Sequence, residues 1–468
     1  MELGQLREKW KELVLKGHFN EAEVLYWENM HEISEKTLIK KVSEMGMSRY
    51  DWLIIPAGLE KRYYILLINA LKPKKVYFIC TKEFRNYFLD FIIQKASLKR
   101  EDYEIDDIEY SGMDLAEIYG KIKDRFPLFE GKRVAVDLTR GKRIMSASAG
   151  IMASFFGFDI VYIDEEWIDE IKRGLPGTET LVRVRNPYEV FGELENNHAT
   201  YLFNTYSFNS AAILFRDLCK KVADPRIFEI KALLAEGYDQ WDAFNYIAAE
   251  KKLEELMGKL RQYGIRFEHA QIANNLAVLK FLANLKPGQK FEENLKNEDF
   301  VVHLLIDMYL NALRRKEVNR QEDSITRLYR LLELISQYRL STHGITTSQP
   351  MYSKIAEIEI KYGELTKKLY GTERIVPAEI GIKDGHIILS LLQDELWKGK
   401  SFDDLKRFLG SVRIRDNSII AHGIELIGSK AFVQFEGIAR DFLQKICSMT
   451  GNSYETLLKN TKFMKLNS

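Results

Sequence analysis

The residues whose types and spacing could do chemistry are Arg415, Asp416, Asn417 and His422, in the run Arg-Asp-Asn-Ser-Ile-Ile-Ala-His-Gly at 415–423. Histidine is the side chain suited to proton transfer near neutral pH. Arginine presents a rigid fork of donors to a phosphate, or to charge developing in a transition state. On a continuous helix seven positions make nearly two turns, so Arg415 and His422 would share a face, about 10 Å apart along the axis. That gap is too wide for one helix to grip a scissile phosphate. A two-fold partner laying the same helix across it would bring two Arg and two His into one cleft. The combination suits metal-free RNA cleavage with the ribose 2′-hydroxyl as nucleophile. The same run also reads as an exposed helix start, with Asp416, Asn417 or Ser418 as N-cap. Of the eight histidines, only His422 follows an Arg by five to seven positions.

Composition narrows what can surround such a site. A chain of 468 residues suggests two or three domains. Its 69 Lys+Arg and 68 Asp+Glu nearly cancel, so no global basic field draws it onto nucleic acid, and any such site is a local patch. Cys80, Cys219 and Cys447 are far apart in apolar surroundings and read as buried thiols of a reducing compartment, not as metal ligands or a disulfide framework. Met1-Glu2-Leu3-Gly4 lacks the basic and apolar regions of a secretory signal, and no apolar run approaches membrane-spanning length. A soluble cytoplasmic protein is expected. The Lys- and Glu-rich, Gln-poor composition leans toward a thermophile.

Two kinds of element must position the chemistry. Residues 1–47 carry helical periodicity and read as an N-terminal extension. From residue 51, buried-strand runs alternate with helices. The strands are 51–55, 75–80, 105–110, 133–137 and 159–164, with a further one at 180–185 before a boundary near 190. This alternation predicts a parallel sheet with helices on both faces, in which ligands bind at the carboxyl ends of the strands. Two of those ends stand out. Pro56-Ala57-Gly58 follows the first strand. Thr139-Arg140-Gly141-Lys142 follows the fourth and combines a hydroxyl, a glycine, cations and a helix start, the parts of a phosphate cradle. The same loop also reads as an ordinary strand-to-helix turn capped by Asp137 or Thr139. Beyond 190 the pattern is helical throughout, at 200–222, 224–236, 240–263, 265–285, 296–313, 320–340, 350–370, 386–397, 402–412 and 429–449. Arg314-Arg315-Lys316 forms a local basic cluster there, either an RNA contact or plain surface.

A parallel α/β domain whose fourth-strand loop reads Asp-Leu-Thr-Arg-Gly-Lys, followed by helices carrying Arg-Asp-x5-His-Gly, resembles the CRISPR-associated CARF–HEPN ribonucleases of type III systems. Residues 235–244, Arg327 to Arg330, Glu333 and 337–340 look like further landmarks of one branch. The resemblance implies a fold that is α/β plus all-α: a Rossmann-like CARF ligand-sensing domain over 1–190, then a helical region over 191–468 with a C-terminal HEPN ribonuclease domain. It implies a homodimer activated by a cyclic oligoadenylate, cutting single-stranded RNA without cofactor or metal and leaving 2′,3′-cyclic phosphate ends. Arg415 and His422 take the catalytic positions, with Asp416 and Asn417 beside them. Pro56, Ala57, Gly58, Thr139, Arg140, Gly141 and Lys142 take the ligand positions. Tetra-adenylate is favoured over hexa-adenylate, and Thr139 with Lys142 could assist slow cleavage of the activator itself. Arg140 stands where relatives often have a second glycine, and the Arg-to-His spacing is at the long end of the family's range. Two other classes compete. One is a CARF-containing sensor whose helical half binds a partner and cuts nothing. The other is a constitutive ribonuclease whose α/β half only dimerises.

Overall fold

Strands rich in β-branched and aromatic residues, the central ones buried nearly along their length, assemble into a six-stranded sheet in the order β3-β2-β1-β4-β5-β8. The strands are β1 (Trp52–Pro56), β2 (Lys75–Thr81), β3 (Tyr103–Ile108), β4 (Val134–Asp137) and β5 (Asp159–Asp164). A two-stranded hairpin, β6 (Trp167–Ile168) and β7 (Arg173–Gly174), precedes β8 (Thr180–Val184). The first five are parallel, while β8 runs antiparallel along β5 as the edge. The computed structural model describes residues 3–47, 49–58, 60–108, 115–267, 269–284, 291–355, 357–419, 423–424 and 428–467. Glu109 and Tyr110, expected to finish the third strand, lie outside them.

The sheet belongs to one of two compact units, residues 1–193 with 221–223; the other is 194–220 with 224–468. In the first unit alternate strand residues feed two cores. Leu53, Ile55, Val76, Phe78 and Cys80 pack on one face. Ile54, Tyr77, Ile79, Val134 and Val136 pack on the other, as the period-two strand demands. Helix α1 (Leu3–Leu15) begins the N-terminal stretch, whose Leu6, Trp10 and Met30 share a core with Ile168 of the hairpin. Helix α2 (Lys61–Leu71) follows β1, and α3 (Arg143–Phe156) follows β4. Strand order reverses between β1 and β4, which pair in register from Trp52 opposite Val134 to Ile54 opposite Val136. Such a reversal opens a crevice at the carboxyl ends of the two strands.

The second unit is helical. The pattern at 200–222 divides into Glu193–Asn204 and Phe208–Lys221, because Tyr206 between them adopts φ +61°. Later helices are α4 (Arg226–Asp242), α5 (Glu298–Glu317), α6 (Gln321–Thr342), α7 (Ile382–Leu391), α8 (Phe402–Asp416) and α9 (Ser429–Met449). A short helix α10, Tyr454–Thr461, was not legible in the periodicity and leads into an ordered tail. The basic cluster is a correction. Arg314 is buried, its Nε donating 2.9 Å to Asp242, and Arg315 donates to the same carboxylate. Two of its three cations are therefore engaged inside the unit and do not face RNA.

The tail closes this unit. Phe463 stacks on Tyr238, ring centroids 4.1 Å apart and planes 10° apart, with the Arg314 guanidinium 4.0 Å from its centroid. Asn275 donates to the Asn460 carbonyl at 2.7 Å, and Tyr238 donates to Asn275 at 2.5 Å. Truncating a buried aromatic leaves a cavity as well as losing apolar burial. Phe463→Ala is therefore expected to destabilise the protein by about 3–5 kcal/mol, read by urea denaturation. A change under about 1 kcal/mol, the range of surface substitutions, would show that the tail is decoration.

Candidate functional site

At the carboxyl end of the sheet the two loops expected to bind ligand are in backbone contact. β1 ends at Pro56, and the Ala57 amide donates to the Ile79 carbonyl at 2.8 Å, continuing the ladder one residue further. The Gly58 amide then donates to the Tyr64 hydroxyl at 2.6 Å. A side chain has no room at either glycine. A Cβ on Gly58 would stand 2.7 Å from the Gly141 Cα, and a Cβ on Gly141 would stand 2.7 Å from the Pro56 oxygen. Gly141 also sits at φ +121°, a conformation that L side chains rarely adopt. The small residues are there because two main chains touch.

The rest of the fourth-strand loop is pinned from beneath. Asp137 is fully buried, and its Oδ1 accepts from the Thr139 amide at 2.8 Å and the Thr139 hydroxyl at 2.5 Å. The same hydroxyl accepts from the Ile163 amide at 2.9 Å, so Thr139 laces β4 to β5. Burial pushes the Asp137 carboxyl up to about 6, against the opposing pull of the Thr139 hydrogen bonds and Arg140. Arg140 is engaged as well, donating to Glu165 at 2.8 Å and to the Tyr63 hydroxyl at 2.9 Å. Lys142 is the N-cap of α3, its carbonyl accepting from the Met145 amide at 2.8 Å. Tyr63 and Glu165 were not singled out from the sequence. Nothing in the run Asp164-Glu165-Glu166 signals that three donors converge on its middle residue.

In the helical unit Arg415 sits in the last turn of α8, where a cation complements the helix dipole. Its guanidinium lies 4.2 Å from the centroid of the Tyr329 ring on α6, and its Nη1 is 3.7 Å from Asp416. Asp416 is paired in turn with Lys383 of α7 at 2.7 Å. The Arg415 Nε is buried without a hydrogen-bond partner among the described residues. Asn417 is the C-cap of α8 and is exposed, and the buried Ser418 amide donates back to the Arg415 carbonyl at 2.9 Å. The helix therefore ends at Asp416, where the sequence suggested either a continuous helix to His422 or a helix start. Three short polar side chains in a row compete with helical hydrogen bonding and favour termination. One helical face cannot relate Arg415 to His422. His422 lies outside the described residues, with Ile420 and Ala421.

Two other histidines are accounted for structurally. His386 is buried against Phe408, Trp397 and Phe442, and desolvation pushes it down to about 4, uncharged at neutral pH. His343 is 2.8 Å from Asp394, which also receives the Arg339 guanidinium at 2.8 Å. Groups of three or more His, Cys, Asp or Glu side chains placed to hold a metal ion do not occur among the described residues. Among those residues no helix is long and apolar enough to cross a membrane.

Comparison with known proteins finds family matches in the helical half and relatives that span most of the chain. Residues 293–446 match the family model described as the Csm6 HEPN domain, and residues 191–285 match that of the Csm6 6H domain. The CRISPR system endoribonuclease Csm6 of Thermus thermophilus is 30% identical over 347 residues, spanning 71% of this chain and 72% of that protein. Among solved structures, Enterococcus italicus Csm6 bound to cyclic hexa-2′-fluoro-hexa-dAMP superposes with a TM-score of 0.50 at 13% identity. That match covers 88% of this chain and 97% of the other. It shows a shared fold.

The buried carboxyl yields a pH prediction. A group whose folded pKa is raised stabilises while protonated, below its ordinary value near 3.9. That contribution is lost as pH climbs through about 6. Asp137→Asn removes the cost of charging the group. Its stability relative to the parent protein should therefore rise by about 2 kcal/mol between about pH 4 and about pH 7. Denaturation curves at the two pH values check this, and a pH-independent difference contradicts it.

Proposed function

The chain belongs to the Csm6 family of CRISPR endoribonucleases, and from that premise we propose that a cyclic oligoadenylate held at the Pro56–Gly58 and Thr139–Lys142 loops switches on a site built from Arg415 and His422. The observation that carries this reading is the glycine contact at the strand reversal. Two main chains brought together with no side chains between them leave the start of α3 open to an anionic ligand. A cyclic ligand of repeating units suits a two-fold axis, so the working protein is a homodimer with both protomers' loops contributing. Binding activates only if the ligand holds the cutting conformation better than the idle one.

At the second site His422 takes the proton from a ribose 2′-hydroxyl, or gives one to the departing 5′-oxygen, while Arg415 stabilises the charge on the phosphate. The 2′-oxygen bonds to phosphorus as the bond to the 5′-oxygen breaks, giving a 2′,3′-cyclic phosphate and a 5′-hydroxyl. The nucleophile comes from the substrate and proton transfer from histidine, so this route calls for no metal. Tyr329 supports the Arg415 guanidinium through its ring face, and Lys383 occupies Asp416, which keeps that carboxylate from drawing Arg415 away. Asn417, exposed at the helix end, is placed as a secondary contact. The partner protomer supplies a second Arg415 and His422, the arrangement that lets side chains separated along one chain meet across a cleft. A slower cleavage of the activator, assisted by Thr139 and Lys142, belongs to the same proposal, and would show as loss of intact ligand on long incubation with His422→Ala protein.

One assay separates this reading from a constitutive nuclease and from a sensor that cuts nothing. Labelled single-stranded RNA is incubated with the protein in EDTA, alone and with cyclic tetra-adenylate or hexa-adenylate. Activation by one ring, tetra-adenylate by preference, is expected, with fragments ending in cyclic phosphates. His422→Ala should lose at least about 100-fold of the stimulated rate and keep its ligand affinity. Cleavage by His422→Ala at the parent rate would remove the assignment.

A further inference from the structure

Glu165, the first residue beyond β5, is a buried carboxylate on which three donors converge; its side chain is 6% exposed. Its Oε1 accepts from the Tyr63 hydroxyl at 2.5 Å and from Arg140 at 2.8 Å, and its Oε2 accepts from Arg62 at 2.8 Å. Both guanidiniums also lie against the Tyr63 ring, 4.4 Å and 4.5 Å from its centroid. On the far side, a Cβ added to Gly174 of β7 would overlap the Glu165 carboxylate itself. The hairpin glycine is thus shaped around this group. Glu165 joins the ligand loop (Arg140) to the first turn of α2 (Arg62 and Tyr63) and to the hairpin.

The charge count at this junction is lopsided. The two guanidiniums share the Glu165 carboxylate, with the buried Glu179 also acting on Arg62 and Glu60 on Arg140, but the cavity of about 200 Å³ beside them is lined by four cations, Arg62, Arg140, Lys172 and Arg173, with Glu60 as the acid among its lining residues. Trp10 of α1 and Trp167 of β6 complete its walls, which gives the N-terminal helices a part in it. The Nε atoms of both Arg62 and Arg140 are buried with no hydrogen-bond partner among the described residues. A cavity with surplus positive charge and unfilled guanidinium donors fits an anion with several acceptor oxygens, and a phosphodiester has them.

We propose that this cavity is a phosphate subsite of the activator site and that Glu165 is its internal counter-anion, holding Arg140 until a phosphate of the ligand takes the guanidinium over. The proposal rests on the reading that the Thr139–Lys142 loop binds a cyclic oligoadenylate. It makes Glu165 a positioning residue that sets the ligand concentration at which the protein responds. The carboxylate keeps two like charges compact, and its own charge opposes the incoming polyanion.

Calorimetric titration of the full chain with cyclic tetra-adenylate and hexa-adenylate tests it. Glu165→Gln keeps the shape and removes the charge, so binding should tighten by about ten-fold, the order expected for one partly screened charge at contact distance. In an Arg140→Ala background the same change should give less than about two-fold, because the arginine it competes for is gone, a coupling that a double-mutant cycle reads directly. Unchanged or weaker binding by Glu165→Gln overturns the proposal. So does a gain that survives without Arg140, which would mark a long-range charge effect. Should Glu165→Gln fail to fold, Glu165→Asp takes its place. Its shorter arm cannot span both guanidiniums, so it should also tighten binding, and weaker or equal binding again overturns the idea. If the parent protein binds neither ring, the underlying ligand reading fails with it, an outcome distinct from a parent that binds and a variant that does not improve.

Discussion

The close approach of two backbones at Gly58 and Gly141 is the constraint on which the carboxyl end of the sheet depends. Parallel pairing of β1 with β4 sets the two loops side by side, and only residues lacking a Cβ let the Pro56 carbonyl and the Gly141 main chain meet. Once they meet, the rest of the loop has little freedom. Asp137 and Thr139 tie it down to β5, α3 begins immediately beyond it, and Arg140 is led toward Tyr63 and Glu165. Burying Asp137 is a concession that this arrangement requires. A carboxyl with one oxygen partnered twice and the other unpartnered among the described residues is hard to charge, and its raised pKa records that difficulty.

In the helical unit the governing theme is which buried cations are committed to an acid. A chain with almost balanced charge has no excess to spread over its surface. Arg314 and Arg315 are absorbed by Asp242, and Arg339 by Asp394. Arg415 differs from these. Its near neighbours are an aromatic face and, 3.7 Å away, an Asp that it shares with Lys383, so its charge is oriented and only partly offset. That is the condition an arginine needs in order to meet a substrate phosphate.

Much of this is legible without coordinates. Alternating buried strands and helices announce the parallel sheet, because a period of two and a period of 3.6 are hard to confuse when the runs are long. The antiparallel direction of β8 is not announced, since a single edge strand carries no sign of its orientation. Pro56-Ala57-Gly58 and the Thr139–Lys142 loop stand out through residue type, and the structure brings them into contact. What residue type does not reveal is commitment. Arg140 reads as a spare cation, and only tertiary packing shows that Glu165 and Tyr63 hold it. Helix termination at Asp416 escapes the sequence for a related reason: Asp-Asn-Ser marks a helix boundary from either side, and local preference does not say which. The tail after residue 449 escapes it because its value lies in one ring, Phe463, filling a cage built from distant helices.

The proposed ligand site stands or falls on the backbone contact as its platform. Gly141→Ala places a methyl group against the Pro56 carbonyl and forces an unfavourable φ, so calorimetric titration of that variant with cyclic oligoadenylate is the most direct measurement. Loss of at least about ten-fold in affinity (about 1.4 kcal/mol) is predicted, with the protein still folded and its unstimulated RNA cleavage retained. A folded Gly141→Ala protein that binds the ligand as tightly as its parent would contradict it.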